Sequence, residues 1–315
     1  MIEFDRVSKY FGDRAAVKNL SLRFSEGAFT VLIGTSGSGK STTLKMINRL
    51  ETHDSGTIRF GGEDIRQQPL LALRRRMGYA IQSIGLFPHW TVAQNIATVP
   101  QLLKWPKSRI QQRIDELMAL LGLEPDLRSR YPHQLSGGQQ QRVGVARALA
   151  ADPEVLLMDE PFGALDPVTR SALQQEMRRI HQLLGRTIVL VTHDIDEALR
   201  LADRLVLMDN GEVVQQGTPL EMLTQPVNDF VRTFFGQSEL GVRLLSLRQV
   251  QDYLRVEESL PGEPLLVSMS LREALSQFVA QRRLALPVAD ASGSICGSLY
   301  FADLLREEGG NESAA

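Results

Sequence analysis

Short apolar runs alternate with longer segments of helical period from the N-terminus to about Gly236. Residues 29–33, 155–158 and 188–192 are nearly continuous apolar runs, which is the pattern of strands buried on both faces of a sheet. Each run is followed by a polar or glycine-containing turn. Strands that alternate with helices indicate an α/β domain. We therefore predict a sheet-bearing core over this part of the chain.

One helix is predicted clearly from its apolar stripe. Five apolar residues recur at helical spacing along a single face, and they are Ile110, Ile114, Leu117, Met118 and Leu121. Pro106 and Gly122 bracket this stripe as a start and a stop signal. The segment is therefore predicted to be an amphipathic helix between two strands.

The regular alternation ends in short helical pieces between residues 219 and 236, and residues 237–264 are less periodic. We predict a first domain over residues 1–237, and a linker with a small second module over residues 238–315. The sequence contains no internal repeat and no second copy of the motifs described below.

Composition indicates an ordinary globular protein and excludes several functional classes. The chain has 315 residues, of which 43% are hydrophobic and 23% charged, so the whole chain is expected to fold. A formal net charge of −2 gives no strong field toward nucleic acid or anionic lipid. The single cysteine, Cys296, suits a reducing compartment. Every apolar run is far shorter than a membrane span, and the acidic N-terminus does not resemble a secretion signal, so we expect any membrane role to come from a partner.

The most specific motif lies at residues 34–41, which read GTSGSGKS and match G-x-x-x-x-G-K-[ST]. It stands between the predicted strand at 29–33 and a helical segment that begins at Lys40, which is the context that a phosphate-binding loop requires. Glycines let successive backbone N–H groups point at phosphates, and the helix N-terminus adds positive charge. Lys40 is expected to reach the β- and γ-phosphates, and Ser41 to offer a hydroxyl to Mg²⁺. The alternative is a glycine-rich structural turn.

Residues 155–160 read VLLMDE, an apolar strand that ends in two adjacent carboxylates. Successive strand residues point to opposite faces, so the two acids are expected to have different roles. Asp159 is suited to hold Mg²⁺ through water, and Glu160 is our candidate to polarise the water that attacks the γ-phosphate. A strand that ends in Asp-Glu is by itself more often a solvated turn. Only its combination with the phosphate loop favours the catalytic interpretation.

Residues 135–139 read LSGGQ and open a further predicted helix. Ser136 is a good N-cap, and the two glycines leave helix-end N–H groups open to an anion. The segment indicates a second phosphate-binding site, although the pentapeptide alone is equally compatible with simple helix capping.

In this order and at this spacing, the three segments resemble the ATP-binding subunit of an ABC transporter over about residues 1–236. The resemblance implies a P-loop nucleotide-binding domain with a RecA-like core, an antiparallel β subdomain and a helical subdomain over about residues 83–150. It also implies that the Ser-Gly-Gly-Gln segment of one chain faces the phosphate loop of a second chain. Two chains would then close head to tail over two ATP molecules with Mg²⁺, as a homodimer.

The resemblance implies roles for residues outside these motifs. Phe11 matches the aromatic residue that stacks on adenine, with Tyr10 as the second choice and a core position in an early strand as the alternative. Gln82 matches the glutamine that reaches Mg²⁺ and the attacking water. His193 matches the histidine that contacts the γ-phosphate, although a lone histidine after a strand is more often structural. Asp166 matches the inter-subunit loop, in which Gly163 stands where serine is commoner.

The implied site residues fall into three sets. The catalytic set is Glu160, His193 and Gln82. The metal-binding set is Ser41, Gln82 and Asp159. The nucleotide-binding set is Phe11, Gly34, Thr35, Ser36, Gly37, Ser38, Gly39, Lys40, Ser41, Thr42, Ser136, Gly137, Gly138, Gln139 and Asp166.

A separate apolar segment predicts contact with a partner. Leu86, Phe87 and Trp90 are the expected anchors of a groove for a partner helix, and the alternative is that they pack inside the helical subdomain. In transporters similar to this chain, that segment receives a coupling helix from the membrane subunit. Residues 131–133 (YPH) resemble an importer rather than an exporter.

Residues 74–89 (RRRMGYAIQSIGLFPH) and 45–50 (KMINRL) resemble the glycine betaine, choline and carnitine branch, which implies an osmoprotectant cargo. Importers of that branch commonly continue into cystathionine-β-synthase-like (CBS-like) modules, and residues 265–307 resemble one such α+β module. The segment that follows Gln237 is too short for the usual pair of modules, so a pair would need two subunits. Residues 238–315 carry seven arginines and eleven acids, a net charge of −4, so we expect dimerisation or weak regulation rather than attraction to anionic lipid.

The implied partners are a second copy of the chain, integral membrane permease subunits and, indirectly, a periplasmic or extracellular substrate-binding protein, with no nucleic acid. We expect a peripheral location on the cytoplasmic face of the cell membrane. Three alternatives are an importer ATPase for another small solute, a soluble ABC ATPase of translation or DNA repair, and an unrelated phosphoryl-transfer enzyme. The second class commonly carries two nucleotide domains or a long coiled coil, and the third has no use for residues 135–139.

Overall fold

A computed structural model of the protein describes residues 1–81, 85–255 and 260–306. The chain divides into two compact units, Met1–Thr218 and Pro219–Ala315. Within the described ranges, the strands of the first unit are β1 Ile2–Phe11, β2 Arg14–Phe24, β3 Phe29–Gly34, β4 Ser55–Phe60, β5 Glu63–Asp64, β6 Met77–Ala80, β7 Val155–Asp159, β8 Thr187–Val191, β9 Arg204–Asp209 and β10 Glu212–Gly217. Its α-helices are α1 Lys40–Ile47, α2 Leu70–Arg75, α3 Val92–Leu102, α4 Lys107–Leu120, α5 Gly137–Leu149, α6 Pro167–Leu184 and α7 Ile195–Leu201.

A six-stranded sheet forms the centre of the first unit, in the order β10-β9-β3-β8-β7-β6. All neighbouring strands in it are parallel except the β9–β10 pair. The predicted strands are confirmed as β3, β7 and β8, which lie side by side in the interior of the sheet and are almost fully buried. Their carboxyl ends therefore meet at one edge, where ligands of open α/β sheets usually bind.

A second, antiparallel sheet has the order β2-β1-β4-β5. Its apolar side chains belong to the same core cluster as those of the central sheet and of α1, which includes Phe4, Phe24, Leu44 and Phe60. The β1–β2 turn contains Gly12, whose φ of +59° is a left-handed conformation that glycine adopts without strain. This turn presents the end of β1 toward the loop that follows β3.

Helices α3, α4 and α5 lie between β6 and β7 in the sequence, and they contact one another. The predicted amphipathic helix is confirmed as α4, whose buried residues are Ile110, Ile114, Leu117 and Met118. Leu121, the last residue of the predicted stripe, is buried just after the helix ends, and Gly122 follows with φ of +58°. Among the described residues, no helix combines the length and the apolar character needed to cross a bilayer.

The second unit contains α8 Pro219–Thr224, α9 Asp229–Phe234, α10 Leu240–Leu247, β11 Leu265–Leu266, α11 Leu271–Gln281, β12 Ala285–Ala289 and β13 Ile295–Tyr300. The unit begins before the sequence-based boundary at residues 237 and 238, and α8 contacts α10 within it. Its three-stranded sheet has the order β11-β12-β13 and shares a core with α11 that includes Leu265, Phe278 and Leu299. Asp303, buried after the end of β13, accepts two hydrogen bonds from Arg255, at 2.7 and 3.1 Å.

Candidate nucleotide-binding site

The loop between β3 and α1 can be formed only by glycine at two of its positions. Gly34 has φ of +150°, and a Cβ built there would lie 1.9 Å from the carbonyl oxygen of Met208. Gly39 has φ of +99°, and its Cβ would lie 2.3 Å from the carbonyl oxygen of Ala16. These close approaches hold the loop against β9 and β2. The loop thus curls tightly enough for its backbone N–H groups to surround a phosphate.

Lys40 is buried in the concave side of this loop. Its Nζ donates hydrogen bonds to the carbonyl oxygens of Gly34 and Thr35, at 3.0 and 2.7 Å, and to Ser38 Oγ at 3.2 Å. Burial lowers the pKa of the ammonium group, and the nearby carboxylates of Glu160 and Asp159 oppose that shift. The loop thus holds a positive charge at a fixed place beside two acids.

The hydroxyl of Ser41 donates a hydrogen bond to Asp159 Oδ1 at 2.8 Å. Ser41 lies in the first turn of α1, and Asp159 ends β7, so two residues that are 118 positions apart offer adjacent oxygen ligands. A hydroxyl and a carboxylate are hard ligands of the kind that Mg²⁺ binds together with water and phosphate oxygens. These two residues therefore fit the predicted metal. Gln82, predicted as the third metal contact, lies outside the described residues.

Glu160 and His193 meet at the carboxyl ends of the adjacent strands β7 and β8. His193 Nδ1 lies 3.3 Å from Glu160 Oε1. Glu160 has φ of +45°, a conformation that costs a residue with a side chain about 1–3 kcal/mol and that clusters at functional sites. Its backbone N–H donates to the carbonyl oxygen of Val191 at 2.9 Å, which fixes this turn to β8. The fold therefore tolerates backbone strain in order to place one carboxylate.

These groups share a cleft of about 750 Å³ with Phe11. The lining residues are Phe11, Arg14, Ala16, Ser36, Gly37, Ser38, Gly39, Lys40, Ser41, Thr42, Glu160 and His193. Phe11 is half exposed at the end of β1, so it is not the core residue of the alternative interpretation. Tyr10 is exposed to a similar degree but is not among the described residues that line the cleft. The apolar ring of Phe11 suits the base of a nucleotide, and the adjacent glycine-rich loop suits its phosphates.

Arg14 and Ala16 line the cleft and were not predicted from the sequence. A guanidinium nitrogen of Arg14 lies 3.0 Å from where a Cβ of Gly37 would be. In the sequence, Arg14 follows Gly12 and Asp13, a pattern that is typical of a solvated turn. Only the hairpin formed by β1 and β2, which folds back over the loop, brings this cation to the site.

The Ser-Gly-Gly-Gln segment does not line this cleft, and instead begins α5 elsewhere on the first unit. Ser136 caps the helix, since its Oγ accepts from the Gln139 backbone N–H at 3.2 Å while Gln139 Oε1 accepts from the Ser136 N–H at 2.9 Å. Ser136 and Gly137 are exposed. A Cβ on Gly138 would lie 2.4 Å from Thr169 Cγ2, so this glycine permits close packing of α5 on α6.

Asp166 also lies outside the cleft and serves as the N-cap of α6. Its Oδ1 accepts from the backbone N–H groups of Val168 and Thr169, both at 3.1 Å. Hydrogen bonds, first of all from Thr169, lower the pKa of this exposed carboxyl group. Within one chain, Asp166 and Ser136 are thus exposed, and neither lines the cleft that contains the phosphate loop.

A second exposed feature is the turn at residues 87–90, which we call the Phe87–Trp90 turn. The two rings lie 4.6 Å apart between centroids and are 43% and 37% exposed, whereas Leu86 is partly buried. The buried side chain of Asn95 holds the turn, because its Oδ1 accepts from Phe87 N at 2.8 Å and its Nδ2 lies 3.2 Å or less from three backbone carbonyl oxygens. The aromatic pair is therefore a rigid surface feature and not part of the subdomain core.

Comparison with known proteins places this arrangement in a family. Residues 17–163 match the family model described as ABC transporter. The chain is 76% identical over 307 residues to the glycine betaine uptake system ATP-binding protein YehX of Escherichia coli (strain K12), a match that covers 98% of this chain and 100% of that protein. It is 48% identical over 300 residues to the glycine betaine/carnitine/choline transport ATP-binding protein OpuCA of Bacillus subtilis (strain 168), covering 94% of this chain and 77% of OpuCA.

Solved structures agree with these sequence relatives. The dimeric structure of MJ0796, a bacterial ABC transporter cassette, superposes with a TM-score of 0.63 at 35% identity and covers 70% of this chain and 99% of that one. The structure of cbiO1 from Clostridium perfringens superposes with a TM-score of 0.68 at 28% identity, and the match covers 78% of this chain and 94% of cbiO1. The phosphate loop, the strand that ends in Asp159 and Glu160, and the overall identity to these relatives lead to one assignment. The chain belongs to the ABC transporter family, as one of its ATP-hydrolysing, ATP-binding subunits.

Proposed function

We propose that this protein hydrolyses ATP to energise the import of osmoprotectants such as glycine betaine, choline or carnitine. The observation that carries the proposal is the 76% identity that extends over nearly the whole of this chain and the whole of a glycine betaine uptake ATP-binding protein. A match of that extent includes the second unit as well as the nucleotide-binding unit. The cargo would be bound by other subunits, and this chain would supply the energy.

The chemistry proposed for the site follows from the groups at the sheet edge. The adenine ring stacks on Phe11, and the triphosphate lies in the loop, where Lys40 and the backbone N–H groups balance its charge. Ser41 and Asp159 would hold Mg²⁺, and the ion would supply positive charge beside the phosphate oxygens. Glu160 accepts a hydrogen bond from the attacking water and takes its proton, and His193 orients the γ-phosphate.

The site of one chain is incomplete in this proposal, because the Ser-Gly-Gly-Gln segment of the same chain does not line its cleft. Ser136 and Gly137, at the start of α5, are exposed, as expected of residues that bind the phosphates held by a second copy. Asp166 is likewise exposed, as part of the proposed inter-subunit loop. Two copies arranged head to tail would enclose two ATP molecules, each between Lys40 of one copy and Ser136 of the other.

The Phe87–Trp90 turn is proposed as the contact for a helix of a membrane permease subunit. Two adjacent aromatic rings on a rigid turn provide apolar anchors at low entropic cost. Closure of the ATP-bound dimer would move this turn and, with it, the permease. The chain would therefore lie at the cytoplasmic face of the membrane, and an external substrate-binding protein would deliver the cargo.

The second unit is proposed to contain a single CBS-like module from about residue 265. The order of β11, α11, β12 and β13, with a short 3₁₀ helix at Phe301–Leu305, supports this interpretation. One module per chain would pair with the module of the second copy. With a net charge of −4 over residues 238–315, it is proposed to reinforce the dimer or regulate it weakly, and not to bind anionic lipid.

Uptake of radiolabelled glycine betaine, choline and carnitine by cells with and without this chain tests the proposed cargo. We expect uptake of at least one of these solutes to depend on the chain. Cells that carry Glu160→Gln serve as the matched control, because the permease can still assemble while ATP turnover is lost. Equal uptake of all three solutes in the two strains would contradict the cargo, and failure of the chain to co-purify with any membrane subunit would contradict the transport role.

A further inference from the structure

A small cavity of about 40 Å³ lies directly behind the catalytic pair. Glu160 and His193 form one side of it, and Arg170, Thr192, Asp194 and Glu197 are among the residues that form the rest. The space is large enough for a water molecule, which needs roughly 10–15 Å³ of such volume and two to four polar partners. Two residues that line the cavity each have one buried polar atom without a hydrogen-bond partner among the described residues.

Glu197 contributes one such atom. The residue lies in the first turn of α7 and is only 5% exposed. Gln174 Nε2, on α6, donates to Glu197 Oε2 at 3.1 Å, but Oε1 is buried and has no hydrogen-bond partner among the described residues. An unsatisfied buried acceptor costs about 1–3 kcal/mol, so native proteins normally provide a partner for it.

Arg170 contributes the second atom. Its Nη2 donates to the carbonyl oxygen of Leu165 at 3.0 Å, and its Nη1 lies 3.6 Å from Asp194 Oδ2. Its Nε is buried and likewise has no partner within the described part of the chain. Two residues that line the same cavity, one on α6 and one on α7, thus carry a buried donor and a buried acceptor without a partner among the described residues. One water molecule can accept from the first and donate to the second.

We propose that this cavity is an ordered-water site, bound by Arg170 Nε and Glu197 Oε1, and that Glu197 is a positioning residue for ATP hydrolysis. The proposal rests on the roles proposed above for Glu160 and His193. The water and its two ligands would tie α6, which follows the inter-subunit loop, to α7, which follows His193. Glu197 would thereby hold the turn of the catalytic histidine in register with that of Glu160.

The charge state of Glu197 gives this arrangement a pH dependence. Burial raises the pKa of Glu197 to about 7, Asp194 adds to the rise, and the polar groups of Thr192 and Gln174 and the charge of Arg170 oppose it. When neutral, the acid shares the water with Arg170. When ionised, the buried carboxylate attracts the guanidinium away from Asp194 and the Leu165 carbonyl oxygen, and so loosens the segment that follows Glu160.

Steady-state ATP hydrolysis by the full-length chain from pH 6 to 8.5 tests the proposal, with Glu197→Gln compared with the wild type. The amide imitates the neutral acid at every pH, so the ratio of kcat for E197Q to kcat for the wild type should rise at least threefold, with its midpoint near 7. KM for ATP should change less than twofold. Glu116→Gln on the exposed face of α4 is the matched control, and its ratio should not vary with pH.

A ratio for E197Q that is constant across pH 7 would overturn the positioning role. Failure of the role proposed for Glu160 can be distinguished from failure of the role proposed for Glu197. In the first case, Glu160→Gln would turn over ATP at the wild-type rate. If E197Q does not fold, a high-resolution crystal structure of the wild type decides the matter. A water within hydrogen-bonding distance of both Arg170 Nε and Glu197 Oε1 is the expected result, and a cavity without one would overturn the water site.

Discussion

The carboxylate of Glu160 is held by a backbone conformation that glycine would adopt more easily. Such a position is maintained only when its surroundings determine it, and here the hydrogen bond to Val191 and the contact with His193 do so. The catalytic role proposed for Glu160 is separable from substrate binding, because the phosphate loop lies on a different element.

Glu160→Gln keeps the size and the strained backbone but removes the proton acceptor. We expect kcat for ATP hydrolysis to fall by about 10²- to 10⁴-fold, the usual contribution of a general base, while the Kd for ATP changes less than threefold. Phosphate release and nucleotide binding are the two measurements. Wild-type turnover by the variant would remove Glu160 from its assigned role.

The raised pKa of Glu197 leads to a separate prediction about the stability of the fold. Its folded-state pKa is raised from 4.5 to about 7, so its contribution to stability is full below pH 4.5 and is lost as the pH rises through 7. Glutamine is neutral throughout. The free energy of unfolding of E197Q minus that of the wild type should therefore increase by about 3 kcal/mol between pH 4.5 and pH 8.

Urea unfolding followed by tryptophan fluorescence measures this difference, because both tryptophans, Trp90 and Trp105, lie in the same unit as Glu197. Glu116→Gln again supplies an exposed control. A difference that stays constant from pH 5 to pH 8 would show that the pKa of Glu197 is not raised in the folded state.

Residues that directly follow or end a buried strand could be predicted from the sequence, and Asp159, Glu160 and His193 are of this kind. Their place at a sheet edge depends only on the alternation of strands and helices. Arg14 and Glu197 could not be predicted, because each is a charged residue in a turn or first helical turn that looks solvated. Packing between distant elements, which local sequence does not encode, brings them to the site.

Helix α5 depends on a capping box that also serves the proposed function. The same kind of box, Ser270 with Glu273, begins α11 in the second unit. Ser136 and Ser270 therefore have the same structural role as N-caps, and only Ser136 is proposed to contact a phosphate. Ser270 can serve as the control for Ser136.

Ser136→Ala and Ser270→Ala should each cost about 1 kcal/mol of stability, the usual effect of losing an N-cap. Only Ser136→Ala should also reduce kcat/KM for ATP, by about 10- to 100-fold, because it removes a hydrogen bond to a charged phosphate. Thermal unfolding and ATPase assays of both variants check this. Equal ATPase activity in the two would mean that Ser136 is only a cap.

The Phe87–Trp90 turn is the element from which transport coupling is expected. Trp90→Ala should leave ATP hydrolysis by the purified chain within about twofold, but should weaken binding to the permease by roughly thirtyfold, as loss of an anchor worth about 2 kcal/mol does. Leu102→Ala, at a more exposed site on α3, is the control. Undiminished co-purification of W90A with the permease would place the contact elsewhere.

The alternation of strands and helices in the first unit was also predictable from the sequence, including the amphipathic helix α4. Helices α8 and α9 belong to the second unit, although nothing in their composition marks them as part of it. Within that unit, α8 packs on α10.

For the whole molecule, the exposed position of Ser136 makes ATP the expected cause of dimerisation. In light-scattering measurements with saturating ATP, Glu160→Gln should appear at twice the 35.1 kDa mass of one chain, because the sandwich forms and is not hydrolysed. Adding Lys40→Ala to that variant should return the mass to the value measured without nucleotide. A mass that does not respond to ATP would contradict the head-to-tail arrangement.

The hydrogen bond between Ser41 and Asp159 has a consequence for the order of loading. A divalent cation that binds both oxygens has to replace this hydrogen bond, and without a phosphate it would have fewer ligands to compensate for the loss. The cation gains most when it arrives already attached to the triphosphate. Mg²⁺ and ATP should accordingly bind as one complex. Chelation of the metal should therefore slow ATP binding more than a lower ATP concentration does by itself.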